Sequence, residues 1–143
     1  MDPEKNVRIA HKALLRAKDW IRSAEVALEE NRWNDVVYNA QMGAEHAMKG
    51  ILIALGITFK RVHDISVPFT LLPNENRISD EFLKHIPRFA EWLVQLTEQR
   101  YLAGYGFEED LDYDYFKDYS PIALERGKII YQKCSEEIDK ITG

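Results

Sequence analysis

The sequence predicts an all-α fold, an antiparallel bundle of four main helices. Three observations carry this. Four segments repeat apolar residues at the helical period. No stretch alternates at period two for long enough to make a sheet. Capping signals stand at several of the segment ends, at Asp2-Pro3, Gly56 and Ser120-Pro121.

The first helix is expected over Pro3–Glu30, with Asp2 as N-cap and Pro3 at the first helical position. Ala10, Leu14, Ala17, Ile21, Ala24 and Leu28 share its inner face at 100° per residue. The second is expected over Trp33–Leu55, closed by Gly56. Its stripe is Trp33, Val37, Ala44, Met48, Ile51 and Leu55, and Tyr38, Met42 and Ile53 form a second apolar strip that invites a neighbour on that side. The third is expected over Asp80–Gln99, carried by Phe82, Ile86, Phe89, Leu93 and Leu96. Pro87 should kink it or restart it near its first turns. The fourth opens with Ser120 as N-cap and Pro121 at the first helical position. Gly127 on its stripe points to close approach of another helix. Two connections are long. Ile57–Ser79 contains HDISVPFTLLP, which suits a short extra helix or turn, and Tyr101–Tyr119 is acidic and aromatic. Connections of this length often carry function or an interface.

Bulk properties bound the function. The 143 residues suit one domain, 1–143, with a core large enough to need no staples. Net charge is −5, with 45% hydrophobic and 30% charged residues, which opposes general affinity for nucleic acid or anionic membrane. The single cysteine, Cys134, forms no internal disulfide, so a cytoplasmic location fits. The N-terminus lacks an apolar signal region, and no run is long enough for a membrane span.

Several polar residues stand out. Gln41 falls inside the apolar face of the second helix, Glu45 at its edge, and Lys49 one turn on, in the favourable order for an ion pair. His46 points the other way and reads as surface. His63 in KRVHDI is a candidate base beside Asp64, against its plainer reading as a turn residue. Arg100 lies in register with the core face of the third helix if that helix extends so far, and an inward arginine needs an acceptor. Glu45 and the carboxylates of the loop after Arg100 are the candidates, against the plainer reading of an arginine capping a helix C-terminus. Asp110, Asp112 and Asp114 imitate the start of a calcium loop. Tyr115 and Pro121 occupy the sixth and twelfth positions, where Gly and an acid are required, so no metal site is read. The plainer reading is an acidic loop anchored by buried tyrosines. Zinc-protease, nucleotide-loop and serine-nucleophile motifs are absent. Cys134 reads as a small core residue.

The stretch AEVALEENRWNDVVYNAQMGAEHAMKGILIALG, then VHDI, then RY after a third helix, resembles the HEPN family of prokaryotic helical domains. Ala40, Gly43 or Ala44, Glu45, Ala47, Lys49 and Gly56 carry the second-helix pattern. His63-Asp64-Ile65 matches the loop, Arg100-Tyr101 the element after the third helix. The resemblance covers roughly residues 10 to 140. It implies an antiparallel helical homodimer, often paired with a minimal nucleotidyltransferase in a toxin–antitoxin setting. It places a ligand-binding patch at Arg100, Lys49, Glu45 and Tyr101, with a nucleotide as the implied ligand and no cofactor.

Toxin members of that family are metal-independent ribonucleases carrying R-x4–6-H. Here RYLAGYGFEED has no such histidine, and Tyr105 occupies the stretch. A phenol, with an ordinary pKa of about 10, is a poor base near neutrality. The resemblance thus implies a binding module more than an enzyme. The alternatives are a divergent ribonuclease using Arg100 with Tyr105 or His63, and a purely structural dimer.

Overall fold

The computed structural model describes residues 2–61 and 65–143, and all regular structure among them is helical. Helix α1 (Pro3–Glu29) begins at the expected cap, where the Asp2 carboxylate accepts from Lys5 N at 3.2 Å. It stops at Asn31, whose φ of 59° only a short polar side chain or Gly takes readily. Helix α2 (Trp33–Ala54) stops the same way at Gly56, with φ of 74°, and Ile57 N returns to Leu52 O at 2.9 Å. The second connection contains the expected extra helix, α3 (Ser66–Thr70), followed by a 3-10 turn over Leu72–Asn74.

The third expected helix is two. Helix α4 (Asp80–Leu83) ends before His85, and α5 (Ile86–Tyr105) restarts with Pro87 in its first turn, where a missing N–H costs nothing. Helix α5 runs on past the expected end at Gln99, so Arg100, Tyr101 and Tyr105 are helical. A 3-10 turn follows over Gly106–Glu109, closed by Asp110 in the left-handed region. Helix α6 (Ser120–Thr142) corrects one expectation. Ser120 is not its N-cap but its first residue, buried, with the hydroxyl donating to Lys117 O at 3.1 Å.

The helices alternate in direction. Asn34 reaches Ala103 and Gln41 reaches Thr97, so α2 and α5 are antiparallel. Ala40 meets Gly127 while Gly50 meets Ile138, so α2 and α6 run the same way across the bundle diagonal. Gly127 makes that diagonal contact possible: a Cβ there would stand 3.0 Å from Ala40 O. Helix α2 is therefore wrapped by α1, α5 and α6, as its two apolar strips imply.

Phe69, Phe82 and Phe89 pack edge to face, with centroids 6.0 and 6.1 Å apart, and tie α3 and α4 to α5. One buried carboxylate secures the α4 start. Glu137 on α6 accepts from Ser79 N at 2.8 Å and Ser79 Oγ at 2.6 Å. Cys134 is fully buried, and burial pushes its thiol well above the ordinary range, with Glu137 adding to the effect. It is packing, not a nucleophile.

Candidate functional site

The seam between α2 and α5 gathers most of the residues singled out above. Gln41 is buried because the antiparallel pairing sets it opposite Thr97. Its Nε2 donates to Glu45 Oε1 at 3.0 Å and to Thr97 Oγ1 at 3.3 Å. Glu45 is only 2% exposed, not at the helix edge, and its Oε2 takes Lys49 Nζ at 2.8 Å. Lys49 also lies 5.9 Å from the Phe59 ring. A buried carboxylate held by an amide and an ammonium needs no further neutralising charge.

Arg100 sits one turn beyond Thr97 on the same helix. Its Cζ lies 5.1 Å from the centroid of Tyr38, the residue one turn before Gln41 and Met42. The Nε of Arg100 is buried and has no hydrogen-bond partner. Among the described residues no carboxylate pairs with it, so the expected Glu45–Arg100 contact is replaced by a guanidinium stacked on a ring. The reason is reach: Lys49 and Gln41, on the same helix as Glu45, occupy both of its oxygens. Tyr101 and Tyr105, one turn apart on α5, are 58% and 51% exposed with ring centroids 5.4 Å apart. The seam thus presents an unsatisfied cationic donor stacked on Tyr38, which is the chemistry of anion recognition.

Other expectations change. His46 is not free surface. Its Nδ1 donates to Met42 O at 2.7 Å and its ring stacks on Trp20 at 6.4 Å, because α1 crosses there. His63 and Asp64 lie outside the described residues. Of the tyrosines in the 105–119 segment, Tyr119 packs against the core as expected while the others are exposed. Tyr113 and Tyr115 are 70% and 53% exposed, and Phe116, at 2%, is the deeper anchor. Among the described residues no group of three or more His, Cys, Asp or Glu is placed to hold a metal ion, and no helix is long and apolar enough to cross a membrane.

A groove of about 440 Å³ between α1 and α6 includes Lys18, Arg22, Lys128 and Tyr131. Glu25 already engages Arg22 at 4.0 Å and Lys128 at 3.3 Å, so those cations are committed. Sequence reasoning passed over Arg88, Trp92 and Arg126. The only signal was the four-residue spacing of Arg88 and Trp92 on one helix face.

Comparison with known proteins agrees with the architecture. The family model of the HEPN domain matches residues 10–137. A protein named "Putative toxin MJ1304", from Methanocaldococcus jannaschii, is 30% identical over 100 residues, covering 70% of this chain. The alignment spans 65% of that relative, less than two thirds of its length. No solved structure matches the chain. The matched residues take in α2, α3, α4, α5 and most of α1 and α6, including the whole seam that holds Arg100, and the chain belongs to the HEPN domain family.

Proposed function

We propose that this chain is the HEPN component of a toxin–antitoxin-like pair. It works as a homodimer that recognises an anion through Arg100 and does not cleave RNA. The anion is the phosphate of a nucleotide or an acidic surface of a nucleotidyltransferase partner. The observation that carries this reading is the buried Arg100 Nε without a partner. A desolvated donor on a charged group is costly, and an incoming anion removes that cost. Tyr38 fixes the guanidinium plane. The Gln41–Glu45–Lys49 chain keeps α2 in register beneath.

The same geometry speaks against hydrolysis. Tyr105, at the first position the motif histidine could take after Arg100, is half exposed and supplies no imidazole. The exposed strip of Tyr101, Tyr105 and Phe107 suits a second copy. Sedimentation should therefore give twice the 16.7 kDa chain mass, and a single-chain mass would remove the dimer from this reading. The acidic 106–118 segment suits docking of a basic partner surface.

Titration of ATP, ADP and AMP by calorimetry tests the central point. Saturable binding is expected, with Arg100→Ala weakening it roughly 10-fold to 100-fold, the worth of a hydrogen bond to a charged group. Equal affinity in the variant would sink the Arg100 assignment. A second reading, a divergent ribonuclease, has in its favour the word toxin in the relative's name. Cleavage of RNA by the purified chain, lost in Arg100→Ala, would establish it instead.

A further inference from the structure

A second cationic site stands on another face of α5, against α6. Arg88 and Arg126 both lie over the Trp92 ring, with Cζ atoms 5.1 and 5.3 Å from its centroid. Neither guanidinium has a carboxylate partner among the described residues. Arg126 Nη1 donates to Gln95 Oε1 at 2.7 Å, and Arg88 Nη2 donates to His85 Nδ1 at 3.2 Å. Arg16, Arg22, Arg32 and Arg77 each take a carboxylate, Arg32 both Glu30 and Asp35. Here two are left over, held by one indole and by neutral acceptors. Stacking fixes each plane while leaving most of the N–H fork open, which is how an anion-binding arginine is presented.

The neighbourhood is positive. His85 is held below its ordinary pKa, first by burial and then by Arg88, Lys133 and Lys84, with Glu81 opposing. A cleft of about 380 Å³ adjoins Arg126 through Gln95, and is lined also by Gln99, Tyr115, Phe116, Asp118 and Tyr119. That volume falls within the range of small-molecule sites. Its polar groups are suited to a heterocycle. Gln95 already accepts from Arg126 at 2.7 Å and donates to Glu91 at 3.4 Å, which leaves Gln99 as the carboxamide that donates and accepts, and Asp118 to accept from a ring amine or a ribose hydroxyl. The Tyr119 hydroxyl lies against the Arg126 guanidinium: burial raises its pKa and Arg126 opposes the rise, so the two groups stand together at the rim of the cleft.

We propose that this α5–α6 face binds a nucleoside phosphate, the phosphate on Arg88 and Arg126 and the base in the cleft against Tyr115 and Tyr119. The site is separate from Arg100, which faces α2, and does not depend on the function proposed above. Free mononucleotides and a nucleotide within an RNA strand share this chemistry.

The test is nuclear magnetic resonance titration of the full chain with inorganic phosphate, adenosine, AMP and a five-residue single-stranded RNA. AMP should bind more tightly than phosphate or adenosine alone, with shifts at the Trp92 indole and at residues 115–119. Arg88→Gln and Arg126→Gln should each weaken AMP roughly 10-fold or more. Gln99→Ala, which leaves both guanidiniums in place, should weaken AMP but not phosphate. Arg100→Ala should leave these shifts unchanged, so this site and the Arg100 site fail separately. A clear advantage of the RNA over AMP identifies a strand as the source, and parity identifies a free nucleotide. Equal affinity for AMP and phosphate, shifts that vanish in Arg100→Ala, or no binding of AMP or RNA would overturn the proposal.

Discussion

Gly127→Leu is expected to lower the thermal midpoint by roughly 10 °C. The Cβ alone would stand 3.0 Å from Ala40 O, 3.2 Å from Ile21 Cδ1 and 3.3 Å from Ala40 Cβ. The first of these is backbone of α2, which cannot turn aside as a side chain can. The rest of a leucine would have to separate α6 from α2 across the bundle diagonal. Overpacking of this kind costs about 1–3 kcal/mol and occasionally more. The gain from replacing a mid-helix glycine is only about 1 kcal/mol. Backbone that cannot turn aside places this substitution above the overpacking range, at about 4 kcal/mol, and the net loss of about 3 kcal/mol corresponds to the stated shift for a chain of this size. Gly104→Ala is the control. It also lies within a helix, but its Cβ would meet nothing closer than Tyr38 at 3.8 Å, an ordinary contact. That variant should be neutral or rise by a few degrees. If both glycines respond alike, helix propensity rather than the diagonal contact governs, and the packing account is wrong.

Glu137→Ala should cost about 2–4 kcal/mol, since it leaves the Ser79 N–H and hydroxyl without their acceptor. Both bonds are short, at 2.8 and 2.6 Å, and Glu137 is 2% exposed, so water does not readily replace it. The damage has an address. Ser79 Oγ also accepts from Phe82 N at 3.2 Å, so the carboxylate orients the residue that caps α4. Hydrogen exchange should rise first over residues 79–85 while the α1–α2 pair stays protected. Ser79→Ala should lose less, because the Ser79 N–H to Glu137 bond survives. The double variant should cost less than the sum, the mark of two residues in one network. Uniform loss of protection across all helices would show that Glu137 supports the whole bundle instead of α4.

The helices were legible because their determinants are local. Asp2, Pro3, Gly56 and Pro87 act within a turn of themselves, through a missing N–H, a free φ or a short acceptor. The misreadings were also local in origin. Ser120 looked like a cap because it precedes Pro121, yet Tyr119 already has helical backbone, so the hydroxyl turns back to Lys117. Gln99 looked like an end because the apolar stripe fades there. But Ala103 is buried against α2, and the helix continues to carry it.

The site divides in the same way. Sequence spacing alone paired Glu45 with Lys49, since four residues on one helix fix the distance. It could not pair Glu45 with Arg100 or exclude that pair, because the answer depends on how α5 is rotated against α2. The structure satisfies Glu45 from its own helix and leaves Arg100 on Tyr38. Ser79 with Glu137 and Trp92 with Arg126 are contacts of the same kind, made between elements distant in the chain. By itself the sequence determined the helices, their direction changes and the family pattern, because periodicity and caps are short-range. Only the tertiary structure decided which charges are paired and which are left open, because that depends on helix rotation and separation, which no single helix encodes.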